Sequence, residues 1–293
     1  MISYYALIGA VEQGFVYGIM VLGVYLTFRI LDFPDLTVDG SLPLGAAISA
    51  VAITHGINPF LSLFLAMGGG FLAGVVTGIL NTKLKILHLL ASILTMISLY
   101  SINIRIMSGP NVSLLGAKTV LDPLIELGFP GYLAAPILFG VLATFLTVII
   151  ILFLYTEIGQ AMLATGDNPK MVISQGVNTD NIIILGVGLS NGLVALSGGL
   201  IAQNQGAADV NMGVGTIVAG LASVIVGETI LGDKSIPQAC FAVLIGSIVY
   251  RLAIALALGL KIGSFSFAPS DLNLITAILV VLALIAPKLK KKF

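Results

Sequence analysis

The sequence predicts an all-α, polytopic membrane protein with about nine transmembrane helices, N-terminus out and C-terminus in. Three observations predict it. Of 293 residues, 58% are hydrophobic and 9% charged, against about 25% charged in an ordinary soluble domain. Apolar stretches of roughly 17 to 25 residues recur along the chain and match the hydrocarbon thickness of a bilayer. The charges fall mostly between those stretches, with the basic ones biased to one side. A formal net charge of zero removes any global basic field, and nucleic acid with it.

The candidate spans are 6–30, 36–53, 60–80, 86–104, 133–155, 182–202, 213–231, 237–258 and 272–286. The opening MISYYALIGAVEQGF lacks the basic n-region and cleavage site of a removable signal peptide, so the first span is expected to stay in the mature protein. Gly, Pro and acidic residues crowd the ends of the second and seventh segments, which leaves eight or ten spans open. Gly70, Gly74 and Gly78 form small-xxx-small steps on one face of the third span. Such a face lets two helix backbones approach closely, within one subunit or across a dimer interface. Cys240 lies inside an apolar run and reads as an inert buried thiol, with no disulfide framework or metal-ligand spacing around it.

Orientation follows from Lys and Arg, which are enriched in short cytoplasmic loops. With Lys288, Lys290, Lys291 and Lys292 inside, the inside set also holds Arg29, Lys83, Lys85, Lys170 and Lys234, while the outside set holds Arg105, Lys118 and Lys261. Arg251 falls within a span, where it must face protein, face a water-filled path or snorkel to the outer interface. Glu228, near the inner end of its span, divides between an interfacial structural role and a pathway role. His88 begins a span with no second ionisable residue one turn away and reads as an interfacial histidine.

The longest inside connection, 156–181, contains ATGDNPKMVISQGVN. Asn168 is placed to cap a short helix, Pro169 takes its first position, and Gly176 suits a left-handed cap at its end. About seven residues between caps are too few for a helix stable on its own. Its apolar Met171, Val172 and Ile173 belong in a partner's groove, or on the membrane interface or the chain's own bundle.

The segment DFPDLTVDGS, 32–41, packs three acids, a Pro and a Gly between two spans. Half-helix ends are where transporters place polar groups. Asp39, Gly40 and Ser41 are expected to open a broken helix near a pathway, with Asp39 or Ser41 capping it; the alternative is an ordinary cytoplasmic turn. The translocation-path candidates are Asp39, Ser41, Asn103, Asn191, Gln203, Asn204, Glu228 and Arg251, with Ser190 and Ser197 beside them. Transmembrane Asn and Ser also serve as hydrogen-bonding glue between helices. Two outside connections carry charges able to register a partner: Lys118, Asp122 and Glu126 in one, Lys261 and Asp271 in the other. No nucleotide-binding loop, H-E-x-x-H or Ser/His/Asp arrangement is visible, and the histidines are His55 and His88 alone.

Three segments carry a family resemblance: ILDFPDLTVDGSLPLGAAISA at 30–50, ATGDNPKMVISQGVN at 164–178 and LSNGLVALSGGLIAQNQGAADVNMGVGTIVAGLASVIVGE at 189–228. They resemble permease subunits of ABC importers of the branched-chain amino acid, ribose and nucleoside superfamily, closest to the branch paired with tryptophan- or tyrosine-type substrate-binding lipoproteins. The resemblance implies a type II-like ABC importer permease bundle, a single transmembrane permease domain over 1–293 with a cytoplasmic coupling-helix insertion at about 157–180. It assigns ATPase coupling to Gly166, Asp167, Asn168, Pro169, Lys170, Met171 and Gly176. Many relatives carry ten spans with an extra helix before residue 6, which this chain is expected to lack. The implied assembly is a homodimer of permeases with two cytoplasmic ABC ATPases and an extracytoplasmic binding lipoprotein, in lipid of the bacterial cytoplasmic membrane. ATP and Mg would belong to the ATPase, with no cofactor or catalysis in this chain. The implied solute is an amino acid, aromatic if the branch holds; a nucleoside or sugar importer permease is the alternative. An ion-coupled secondary transporter is a further alternative, but it would want paired ionisable residues at mid-membrane, where the spans are nearly bare.

Overall fold

A computed structural model describes residues 4–259, the short stretches 261–262 and 265–266, and positions 277 and 281. The predicted span 272–286, Asp271, the side chain of Lys261 and the C-terminal lysines lie outside the described residues.

The chain runs α1 (Tyr4–Tyr25), a π-helical turn (Leu26–Ile30), α2 (Val38–Thr54), α3 (Pro59–Thr82), α4 (His88–Met107), β1 (Asn111–Ser113), α5 (Asp122–Glu126), α6 (Gly131–Leu154), α7 (Glu157–Asp167), α8 (Pro169–Ser174), α9 (Thr179–Gln205), β2 (Ala207–Asp209), α10 (Thr216–Leu231) and α11 (Ile236–Gly259). Two short antiparallel pairs, β1 with β2 and β3 (Lys261–Ile262) with β4 (Phe265–Ser266), were not anticipated. Among the described residues, six helices are long and apolar enough to cross a bilayer: α1 with its π turn, α3, α4, α6, α9 and α11. The predicted second and seventh spans are shorter, with 17 residues in α2 and 16 in α10. At 1.5 Å per residue each reaches about 25 Å, less than the roughly 30 Å hydrocarbon core.

The bundle is organised around α9, which packs on α1, α2, α3 and α7. The glycine face of α3 meets it directly. A methyl on Gly74 would strike the Val187 carbonyl, one on Gly70 the Asn191 carbonyl and Ala195, and one on Gly78 the Ile184 backbone. The triad therefore joins helices inside one subunit. From the other side, Gly45 of α2 abuts the Ala195 carbonyl, Gly198 abuts the Leu42 carbonyl, and Gly23 of α1 abuts the Ser190 carbonyl. Outward faces remain apolar, with Phe64, Leu72, Ile97, Val141, Phe145 and Leu152 exposed, as expected of a multi-pass membrane protein bathed in acyl chains.

The two ends of the bundle differ. One gathers Arg29, Lys83, Lys85, α7 and α8: Lys83 and Lys85 reach Asp180 at 3.1 and 3.9 Å, and Gly166 lies against the Ile30 carbonyl. The other holds the β1–β2 pair and α5, with the Leu114 N–H donating to the Gly206 carbonyl at 2.8 Å.

Gly74→Val should lower the thermal unfolding temperature and monodisperse yield in detergent, because overpacking a tight contact costs about 1–3 kcal/mol. Gly68→Val on the open face of the same helix, where a methyl meets nothing, should leave both unchanged; equal behaviour of the two variants would contradict the α3–α9 contact.

Candidate functional site

Two short helices bring their N-termini together inside the bundle. The chain leaves the π turn, passes Pro34 and starts α2 beside Asn191, near the middle of α9. Asp35 is wholly buried there. Its carboxylate accepts the Thr37 N–H at 2.9 Å and the Asn191 Nδ2–H at 2.7 Å. Asn191 also donates to the Val187 carbonyl at 2.9 Å and accepts from Ser41 Oγ at 2.6 Å. Thr37 and Thr77 share a hydroxyl bond at 2.8 Å. A carboxylate so enclosed does not belong to a solvated turn, and the helical chain breaks between the π turn and α2 inside the bundle. Asp35 was not among the predicted site residues, although it stands in the acid-rich segment right after a proline.

The expected cap needs correction. Ser41 lies inside α2 and bonds α9, while Asp39 sits in the first turn of α2 and caps a different helix. Its carboxylate accepts from the Gly215 N–H at 3.2 Å, the Ile217 N–H at 2.9 Å and Thr216 Oγ1 at 3.0 Å, all at the start of α10. The α10 N-cap is Gly215, with no side chain to serve its own helix. One carboxylate thus faces the positive ends of two helix dipoles. Pro43 has no N–H to offer the Asp39 carbonyl four residues back, and Gly213 packs against that carbonyl so closely that no side chain would fit.

A cavity of about 380 Å³ opens at this junction, between α2, α4 and the strand-to-helix segment before α10. Its polar lining comes from Asp39, Asn103, Asn211 and Tyr100, its apolar lining from residues such as Met96 and Val214. Two larger hollows, about 520 Å³ between α3 and α4 and about 620 Å³ between α3, α6 and α9, are walled almost wholly by apolar side chains. A polar solute needs a few convergent polar groups in such a space, and the smaller cavity has them.

The remaining path candidates are dispersed. Gln203 accepts the Val120 N–H at 2.9 Å and donates to Ser49 Oγ, Ser62 Oγ and the Pro59 carbonyl at 3.0 to 3.2 Å, which ties α9 to α2 and α3 as glue. Asn204 donates to Glu12 of α1. Ser190 and Ser197 donate to the Gly23 and Val16 carbonyls of α1 at 2.7 and 2.8 Å. Arg251 does face protein: its guanidinium lies 3.5 Å from the ring centroid of Tyr17, a cation–π contact. Glu228 accepts from Arg29 Nε at 2.8 Å, and Arg29 Nη2 reaches Asp233 at 2.9 Å, which ties the last turns of α10 to the π turn. His88 sets its ring edge-on to Phe33, 4.9 Å between centroids.

In the 156–181 connection, the Asn168 side chain accepts the Met171 N–H at 3.2 Å, Pro169 takes the first position of α8, and Gly176 adopts φ +86° just beyond its end. α8 turns Val172 inward at 2% exposure and leaves Met171 and Ile173 at 46% and 58%. The connection holds a second helix that went unforeseen. α7 is capped by Thr156, whose hydroxyl accepts the Gly159 N–H at 3.3 Å, and it buries Met162. Gly166 and Asp167, expected within the coupling element, end α7, and Gly166 lies against Ile30. At the opposite end Lys118 approaches Glu126 at 3.9 Å, and Asp122 accepts from Thr119 Oγ1 at 3.0 Å. Among the described residues no group of three or more His, Cys, Asp or Glu could hold a metal ion.

Comparison with known proteins converges on one family. The model described as branched-chain amino acid transport system / permease component matches residues 6–286. The chain is 42% identical to a tyrosine transport system permease protein of Clostridioides difficile over 94% of its own length and 89% of that protein. It is 34% identical to an uncharacterized protein of Rickettsia prowazekii over 96% and 98% of the two chains. A galactofuranose transporter permease protein of Escherichia coli is 29% identical over 55% of this chain and 46% of its own. Among solved structures, PsaBC from Streptococcus pneumoniae in complex with Fab superposes with a TM-score of 0.53 at 16% identity, covering 96% of this chain and 91% of that one. A structure described as of the metal-chelate ABC transporter type gives 0.50 at 16% identity, over 100% and 88%. These two share the fold. The chain belongs to the branched-chain amino acid transport system permease component family, the membrane subunits of ABC importers.

Proposed function

We propose that this protein is the permease subunit of an ATP-driven importer of an aromatic amino acid, tyrosine foremost, and that α8 is the element through which a separate ATPase moves it. The single observation that carries the coupling role is α8 itself. A helix of six residues, capped at both ends, holds one side chain in the bundle and presents two large apolar ones to the outside. Such a helix is too short to stand alone, and an exposed apolar edge of this size fits the groove of a partner. The 42% identity to a tyrosine transport permease over nearly the whole chain supports the solute, while the sugar-permease likeness covers about half of it.

In this reading α8 faces the cytoplasm together with Arg29, Lys83, Lys85, Lys170 and Lys234, as the positive-inside rule requires. The N-terminus is outside. Two permease copies line the path in the bacterial cytoplasmic membrane, and two ATPases carry ATP and Mg. An extracytoplasmic binding lipoprotein docks at the opposite end, over the connection with Lys118, Asp122 and Glu126. Movement of α8 reaches the core through solid contacts: α7 leans on Ile30 by Gly166, Arg29 beside it grips Glu228 of α10, and the far end of α10 is held by Asp39. In this reading the Asp39–α10 junction is the element whose arrangement the nucleotide state of the motor biases.

Met171→Asp, placed on the exposed edge, should leave folding intact and reduce both ATPase co-purification and ATP-dependent tyrosine uptake in proteoliposomes at least tenfold. Undiminished association would remove α8 from the coupling role. Asp39→Ala should destabilise the permease by about 1–2 kcal/mol and speed amide hydrogen exchange at residues 215–219 selectively, with Asp39→Asn between it and wild type.

A further inference from the structure

The hollow of about 520 Å³ between α3 and α4 has a buried floor and open rims. Leu44, Ala73 and Leu99 form the floor, while Leu72, Val76 and Leu94 stand exposed along the edges. Its hydroxyl-bearing residues are already engaged: Thr95 donates to the Ala91 carbonyl at 3.1 Å and Ser98 to the Leu94 carbonyl at 2.8 Å. The space therefore suits hydrocarbon and gives a polar solute nothing to bond. Along α3 it runs from Gly69 to Leu80, about 16 Å at 1.5 Å per residue and close to half the hydrocarbon core. That is the depth of one leaflet.

The loop that joins these two helices, KLKIL at 83–87, carries two cations and no acid. Lys83 prolongs α3, its N–H donating to the Ile79 carbonyl at 2.9 Å, and follows Leu80 at the i+3 position of the face that lines the hollow. Asp180 is the carboxylate that both lysines reach, Lys83 at 3.1 Å and Lys85 at 3.9 Å. Among the described residues no other carboxylate lies within 4 Å of either. Two cations share one anion, and one positive charge is left over. Both side chains are half exposed or more. Leu84 and Leu87 are exposed beside them, placed to enter the acyl region while the lysine stems carry their ammonium groups to phosphate level.

We propose that the α3–α4 hairpin binds one anionic phospholipid, with its phosphate against Lys83 and Lys85 and an acyl chain in the hollow beside them. Charge and shape agree on this occupant. A surplus cation at the mouth of an apolar cleft between helices favours an anionic headgroup over a zwitterionic one. The predicted span 272–286 is followed by Lys288, Lys290, Lys291 and Lys292, which would add to the surplus instead of answering it. The site is independent of which solute is carried and of what α8 meets.

The test is native mass spectrometry of the full-length permease in detergent, titrated with phosphatidylglycerol, phosphatidylcholine of the same acyl chains, and inorganic phosphate. Phosphatidylglycerol should bind at least about tenfold more tightly than phosphatidylcholine, and phosphate should not displace it. Lys83→Gln combined with Lys85→Gln should erase that preference. Val76→Trp, which fills the hollow from its exposed rim, should weaken phosphatidylglycerol at least about tenfold with both lysines in place. Asp180→Asn should tighten it at least about threefold by releasing the lysines, an effect that lysines serving only to hold α9 would not show. If Val76→Trp does not fold, the lysine and Asp180 variants decide. The site is overturned if phosphatidylcholine binds as tightly as phosphatidylglycerol, if neutralising both lysines costs nothing, or if phosphate displaces the lipid. It is equally overturned if Val76→Trp splits a permease dimer and leaves the lipid bound, which would give the hollow to a second copy. Retained lipid with lost ATPase co-purification in the double lysine variant would assign the loop to the ATPase and overturn it too.

Discussion

Everything in this bundle depends on how closely other backbones can approach α9. In lipid, apolar side chains gain little by leaving one hydrocarbon surface for another, so helices associate through dispersion contact, weak Cα–H···O contacts and buried hydrogen bonds, all of which need short distances. Glycines at the crossing points of α1, α2 and α3 with α9 supply those distances. Only at that separation can short side chains reach across. Ser190 and Ser197 bond α1, Asn191 bonds Asp35 and Ser41, and Gln203 bonds Ser49 and Ser62. The polar junction is a consequence of the tight packing, and would be out of reach across a leucine-filled interface.

What could be read from the sequence was what is local along it. The caps of α8 are written within nine residues, by Asn168, Pro169 and Gly176, and hydropathy located the six long spans. The Gly70, Gly74 and Gly78 face announced close packing without naming its partner, because helix periodicity describes a surface and is silent about what covers it. Asp39 was recognised as a capping residue but given to its own helix. Its actual clients lie 176 to 178 residues further on, beyond any motif. α7 was missed because EIGQAMLATGD mixes glycines with modest hydrophobicity; those glycines serve contacts with Leu154 and Ile30 that only the folded chain reveals.

α10 is held at both ends by charge of the appropriate sign, with the Asp39 carboxylate at its N-terminus and the Arg29 guanidinium beside its C-terminal turns. Both grips suit the helix dipole, but they sit in different surroundings. Asp39 is bonded within the bundle, whereas Arg29 and Asp233 are each about half exposed and feel solvent screening. The Asp39 grip is thus the better shielded of the two, and the cavity lies beside it.

The π-helical turn at Leu26–Ile30 gives the Arg29 grip an unusual origin. A π turn is an α-helix that has accommodated one extra residue, and one residue corresponds to a rotation of about 100° around the axis. Arg29 thus owes its direction to the number of residues ahead of it, as a hand on a dial owes its angle to the clicks already made. Losing a residue from 26–28 would preserve every side chain in the ion pair while turning the arginine away from α10, so this stretch of chain encodes geometry by length as well as by composition.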